Sequence, residues 1–377
     1  MPRLVENAAA DFSVQSACAG MGLLVRKLLI LFLKYGLAIG LLVAVVYRQW
    51  EPPGGNGLSH LWHNRILTGE IDWLALVAAW CCQVTATGIT IIRWGMLIRA
   101  LDLPLSGWET WRLGWVGILF NTLLPGSVGG DLVKATLAAR SYPDKRTFAV
   151  ASVIFDRILA LWGLFAMVAV AGFFRLWGGG MAEASPSLVV VVHSVAISAL
   201  VMLVVWALLG LVPSLWAEEL AKTMARKAQV LGVLGELARA IVWYRHRPLA
   251  VAKAMFITSC GQVLFVLSFF LVAKALGDNP MKETLPGLGW HFLLVPLGMV
   301  LMAVPLFPGG LGIGEWGYGA LYTQVVGETG RATGMVASLG HRVLGWLVAL
   351  LGLRAWGATR LSGQNVVSAS GKNSAVG

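Results

Sequence analysis

The sequence predicts an all-α polytopic membrane protein, with six full spans plus two re-entrant helical hairpins arranged as inverted-topology repeats. Three observations predict it. The 377-residue chain is 58% hydrophobic and only 12% charged, with a mean hydropathy of +0.76, whereas a soluble domain carries about a quarter charged residues. Apolar runs of spanning length recur along it. Two further apolar runs are each broken by a Pro-Gly cluster that ends on an acid: Pro125 to Asp131 reads PGSVGGD, and Pro308 to Glu315 reads PGGLGIGE.

Taken in order, residues 1–24 hold no sustained pattern and read as a mobile cytoplasmic N-terminus. The first membrane repeat covers 25–175, with unbroken runs at 28–47, 72–98 and 148–173 and the broken run 111–130. The second covers 188–357, with unbroken runs at 188–212, 251–276 and 332–353 and the broken run 290–327. Within its linker, 213–249, Trp216 to Arg247 form a basic amphipathic stretch that reads as a surface helix on the inner leaflet. Residues 358–377, rich in Ser, Gly and Asn, read as a mobile cytoplasmic tail.

Orientation follows from charge. Arg26 and Lys27 abut the first span, which assigns the N-terminus to the cytoplasm. With both broken runs returning to the side they entered, the six spans alternate and the C-terminus also lies inside. The first hairpin then opens to the cytoplasm and the second to the outside. On this layout 21 of the 29 Lys and Arg fall inside or at inner ends, Arg93 and Lys134 among them, and six fall outside. Arg157 and Arg342 stay within the membrane. The expected location is the inner (cytoplasmic) cell membrane, and the net charge of +11 reflects topology and anionic headgroups rather than nucleic acid. Cys18, Cys81, Cys82 and Cys260 have no zinc spacing, and His60 and His63, at helical spacing, have no acid or cysteine nearby. Neither a metal nor another cofactor is expected. Trp108, Trp111, Trp115, Trp316 and Trp356 fit interfacial anchoring.

The repeat extends beyond the turns. Gln83-Val84 matches Gln262-Val263, and the stretch from Arg99 to Pro104 resembles that from Lys274 to Pro280. Each half reads span, span, hairpin, span, and the halves start from opposite sides, as in transporter folds that bind substrate at the midplane.

The hairpin turns are Pro125, Gly126, Gly129 and Gly130, and Pro308, Gly309, Gly310 and Gly312. Glycine relieves steric limits there and proline stops the helix, which frees backbone groups that must then be satisfied. A half-helix beginning near Asp131 or Glu315 offers free N–H groups to an anionic headgroup; alternatively the acid caps its own helix. Arg157 follows Asp131 by 26 residues and Arg342 follows Glu315 by 27. A central arginine costs roughly 2.5–3.5 kcal/mol on insertion scales, so each requires a partner. Asp131 and Glu315 are the natural ones, with a lipid phosphate as competitor for the guanidinium. Structural ion pairs pinning hairpins to helices are the other reading. Asn121, Gln83 and Gln262 are polar residues in apolar runs, open to interhelical hydrogen bonds or ligand contact.

The run from Asn121 through Leu124-Pro125-Gly126 to Asp131, then Asp156-Arg157, then Phe307 to Glu315, and Arg342, resembles the lysylphosphatidylglycerol synthase transmembrane (flippase-like) family over roughly 25–357. In bifunctional relatives that region is implicated in moving aminoacylated phosphatidylglycerol between leaflets, ahead of a soluble synthase domain. Because this chain ends about twenty residues after its last predicted span, the resemblance implies a stand-alone module without that domain. Asp131, Arg157, Glu315 and Arg342 fall on the motif; Gln83 and Gln262 come from the internal repeat.

The leading functional expectation is a flippase-like carrier. It moves an anionic or modified phospholipid, or another phosphate-bearing lipid, between leaflets by alternating access. Its partners are then the membrane lipid and a possible lipid-synthesis enzyme, and the chain itself is not an enzyme. A membrane enzyme acting on polyprenyl or lipid phosphates is the alternative, with Ser127 as its only serine at a turn. A non-transporting lipid-binding scaffold for a synthase is the third.

Overall fold

A computed structural model describes residues 36, 39–40, 42–44, 46–48, 50–51, 58–69, 71–123, 129–178, 185–211, 242–277, 284–303 and 310–373. Among them the chain is helical, with five helices long and apolar enough to cross a membrane: Trp73–Ala100, Pro143–Trp177, Pro186–Leu208, Pro248–Leu276 and Glu328–Gly357. This is a multi-pass membrane protein. The predicted span at 28–47 and the surface helix in the linker lie mostly outside the described residues.

The principal helices are α1 (Trp73–Ala100), α2 (Gly107–Leu123), α3 (Gly129–Ser141), α4 (Arg146–Trp177), α5 (Pro186–Leu211), α6 (Pro248–Leu276), α7 (Leu288–Ala303), α8 (Ile313–Val326) and α9 (Arg331–Asn373). Their starts are written locally. Asp72 caps α1 by accepting the Ala75 N–H at 3.0 Å. Ser106 and Glu109 form a reciprocal capping box before α2. Proline opens α5 and α6, where no intrahelical N–H is needed.

The two broken runs become two helix pairs. α2 and α3 have 17 and 13 residues, and α7 and α8 have 16 and 14. At 1.5 Å per residue these helices are ~20–25 Å long, short of a ~30 Å hydrocarbon core. α2 packs on α3 and α7 packs on α8, so each pair is a helical hairpin. Pro125, Gly126, Pro308 and Gly309 lie outside the described residues; the turn glycines on the C-terminal side do not. Gly130 is where the first hairpin closes, since a Cβ there would collide with the Gly117 carbonyl and the Asn121 nitrogen. In the second turn, Gly310 and Gly312 take φ of 68° and 82°, values that favour glycine.

Corresponding helices of the two halves pack in corresponding ways. α1 and α6 lie against each other along their length, and they run antiparallel. Ser268 Oγ donates to the Ala79 carbonyl at 2.8 Å, while further along Arg93 donates to Thr258 at 3.1 Å. Residue numbers therefore rise on one helix as they fall on the other. α2 leans on α9, and its counterpart α7 leans on α4. Two apolar cores occupy opposite ends of α4 and α6. One joins Ala149 to Leu159 of α4 with Val251 and Ala254 of α6 around the first hairpin. The other joins Val168 with Val266, Phe269 and Ala273 around the second. Tyr244 seals the first core, donating to the Leu97 carbonyl at 3.0 Å and stacking on Phe155 at 4.1 Å. Burial, and then the Asp156 carboxylate, push its pKa up, so the hydroxyl remains a donor.

Two expectations change. Trp115 is not an interfacial anchor: it is buried with Ile91 and Val348 where α2 meets α9. The last helix does not stop near 353 but continues to Asn373, because no proline or run of breakers interrupts the residues after the span.

A side chain at position 130 has no room. Gly130→Ala is expected to destabilise the protein by ~3 kcal/mol, the upper part of the overpacking range. Gly107→Ala, at a position with open space, is expected to be neutral. Thermal unfolding in one detergent compares the two.

Candidate functional site

The hairpins deliver their acids to matching depths. Asp131 stands two residues beyond Gly129, the start of α3, and Glu315 two beyond Ile313, the start of α8. Arg157 and Arg342 each stand eleven residues beyond the first residue of α4 and α9, Arg146 and Arg331. Arg157 Nε pairs with Asp131 Oδ2. Arg342 grips Glu315 Oε1 through Nε at 2.8 Å and Nη2 at 2.7 Å, and donates to the Gly310 carbonyl at 3.2 Å.

The acids differ in their second role. Glu315 Oε2 accepts the Gly312 N–H at 2.6 Å, so this carboxylate caps its helix and holds its arginine at once. In the first hairpin the N–H of Gly130 donates to Asn121 Oδ1, across the turn at 2.8 Å. Among the described residues Asp131 meets cations. Lys134 Nζ stands 3.8 Å from Asp131 Oδ1 and 3.5 Å from Asp156 Oδ2. Arg93 Nε completes the chain on Asp156 at 2.8 Å, and the Lys134 ammonium lies over the Trp94 ring, 4.6 Å from its centre.

This second layer escapes the sequence. Arg93 and Lys134 sit near the ends of apolar runs and count there as inner-side charges, yet both are buried. The available signal was Lys134 at i+3 from Asp131, a spacing that puts both on one helix face. Asp156, adjacent to Arg157 in the chain, turns to Arg93 and Lys134. The first cluster thus gathers three cations (Arg93, Lys134, Arg157) against two acids (Asp131, Asp156), an excess of one positive charge; Arg342 and Glu315 balance.

Both clusters face one cavity of about 920 Å³, which is lined by Asp131, Lys134, Asp156, Arg157 and Arg342 and by Asn121, Gln83 and Gln262. Glu315 lies behind Arg342, fully buried. Gln83 and Gln262 flank the cavity from α1 and α6. Gln83 Nε2 donates weakly to the His341 carbonyl at 3.4 Å, while the buried carbonyl oxygens of both glutamines have no donor among the described residues. His341 Nε2 is likewise without a partner there. A second cavity, of about 600 Å³, lies between α4, α6 and α7 and is almost wholly apolar, with Arg175 stacked on Trp290 at its rim. Its lining holds no acid and suits hydrocarbon. Ser127 lies outside the described residues. His63 is exposed, with Nδ1 on the Ser59 carbonyl, and the His60 side chain is not among those described.

The family described as the lysylphosphatidylglycerol synthase TM region matches the chain over residues 36–352, and the chain belongs to it. No curated protein and no solved structure matches.

The burial of the pairs sets what their loss costs. Arg342→Met removes one partner of a pair in which Glu315 is fully buried, and is expected to cost about 3–5 kcal/mol. Adding Glu315→Gln should recover part of that loss. Arg157→Met, at a side chain 44% exposed, should cost less than half as much. Thermal unfolding of the three variants measures the difference.

Proposed function

As a member of this family, we propose, the chain is a flippase-like carrier that moves a phosphate-bearing lipid between leaflets through the central cavity. The observation that carries this reading is the cavity itself. It brings two arginines at membrane depth, one excess positive charge and two glutamine carbonyls without a donor among the described residues into one space between the hairpins. Buried polar groups left without partners cost about 1–3 kcal/mol each, and a charge excess in low dielectric costs more. A headgroup phosphate answers the charge, and acyl chains stay in the surrounding lipid.

The antiparallel crossing of α1 and α6, and the two cores at opposite ends of α4 and α6, support an inverted-topology repeat. Such halves rock to open a fixed midplane site to one side and then the other. In this reading the hairpins are re-entrant from opposite faces, both termini are cytoplasmic, and the protein resides in the inner membrane. The lipid is carried unchanged, so the chain is not an enzyme, and a lipid-synthesis enzyme that supplies the substrate is its natural partner.

Reconstitution tests the reading. Vesicles containing the protein should move a fluorescent anionic phospholipid between leaflets faster than empty vesicles. Arg157→Gln should slow that by roughly tenfold or more, the equivalent of one lost charge-assisted hydrogen bond. Movement at the empty-vesicle rate across anionic and modified lipids removes the basis of the proposal. Phosphate release from a long-chain lipid phosphate, abolished by Ser127→Ala, would replace it with the enzyme. The glutamines give a second measurement. Gln262→Met is expected to leave stability unchanged or raised by about 1 kcal/mol, since it removes a buried carbonyl that has no donor among the described residues, while slowing translocation.

A further inference from the structure

The two ion pairs are not equivalent, and the difference lies three residues past each acid. The position after Asp131 holds Lys134; the same position after Glu315 holds Tyr318. Immediately before each arginine stand Asp156 and His341. The first half therefore carries a second cation beside its acid, and the second half carries none at that place. Tyr318 instead donates its hydroxyl to the Val295 carbonyl at 3.1 Å.

For an arginine to bind a ligand phosphate it has to leave its carboxylate, and a carboxylate abandoned in the membrane interior is strongly disfavoured. Glu315 is fully buried, and both guanidinium nitrogens that Arg342 offers it close on one oxygen. Asp131 is in a different position. Lys134 Nζ already stands 3.8 Å from its Oδ1, on the opposite oxygen from the one Arg157 takes. Lys134 is itself free to shift toward Asp131, because Arg93 Nε holds Asp156 on its other oxygen at 2.8 Å and Thr258 anchors Arg93 at 3.1 Å. The Arg157 side chain is 44% exposed, against 9% for Arg342.

The geometry assigns Lys134 the role of stand-in counter-ion: it neutralises Asp131 when Arg157 swings onto a ligand phosphate, so that Arg157 is the capturing guanidinium. The assignment rests on the carrier reading above and narrows it. The excess charge of the cluster is one, which matches a phosphate group carrying a single negative charge, as in a phosphodiester headgroup. Lys134 is a positioning residue, acting on the phosphate through Asp131 and Arg157.

A double-mutant cycle on the full-length protein tests this. The protein is placed in phosphatidylcholine nanodiscs, and binding of fluorescent phosphatidylglycerol is titrated; glycerol 3-phosphate binding to the detergent-purified protein forms a second arm. Lys134→Met should weaken phosphatidylglycerol binding by roughly tenfold, the scale of one charge-assisted contact. Lys134→Arg should stay near wild type. Asp131→Asn, which has no charge to neutralise, should make Lys134 dispensable, so that Asp131→Asn/Lys134→Met binds like Asp131→Asn alone. That double variant loses one charge of each sign and keeps the test open if Lys134→Met does not fold. The same coupling in the glycerol 3-phosphate arm identifies a free phosphate ester as ligand; coupling in the lipid arm alone identifies a lipid headgroup. Unchanged binding in Lys134→Met overturns the assignment, as does a double variant as weak as Lys134→Met, which means direct contact with the phosphate. Wild-type protein that binds neither probe overturns the carrier reading instead.

Discussion

A guanidinium held at membrane depth has to be neutralised there, and much of this architecture is the means of bringing an acid to it. A continuous span carries its own residues past that depth at a fixed pitch and leaves no free helix end. A short helix that begins inside the protein does otherwise: its third residue is at the right level, and its first N–H groups are still unsatisfied. Asp131 and Glu315 occupy that position in α3 and α8. The hairpins follow from it, and so do their glycines. Gly130 lets α3 start against the backbone of α2, and Gly310 and Gly312 turn the chain through a left-handed conformation just before α8.

The same constraint explains how the halves interlock. Each acid comes from a hairpin and each arginine from the helix after it, so an ion pair ties α3 to α4 and another ties α8 to α9. The first helix of each hairpin then rests on the last helix of the other half, α2 on α9 and α7 on α4. Neither half closes the cavity alone. The long contact between α1 and α6 sets the spacing, and both contribute a glutamine to the wall. Close packing of this kind favours discrete arrangements over continuous deformation.

The parts of this arrangement that were legible from residues are those that break a pattern. Pro-Gly clusters interrupt apolar runs, and an arginine deep in an apolar run has no topological excuse, so the twin turns and the acid–arginine spacing stood out. Arg93 and Lys134 were opaque for the opposite reason. A cation some seven residues from a helix end obeys the positive-inside rule whether it snorkels to the headgroups or turns inward. What turns them inward is tertiary: Asp156 arrives from α4 and Thr258 from α6. Trp115 misled similarly, since a tryptophan in a short apolar helix suits an interface or a helix crossing equally well. The orphaned carbonyls of Gln83 and Gln262 belong to the packed state alone, because no sequence pattern says which amide finds a partner.

The two buried ion pairs differ in how their acids are held. Glu315 is sealed, spent on its own helix cap and on Arg342 together, so removing either partner strands a charge with no replacement on that helix face. Asn121 takes the Gly130 N–H from across the hairpin, and Asp131 meets two cations, Arg157 and Lys134. A carboxylate shared by two cations keeps a counter-ion when one of them is withdrawn, whereas one held by a single cation does not. Among the described residues, then, the two pairs differ in how many cations hold the acid, one at Glu315 and two at Asp131.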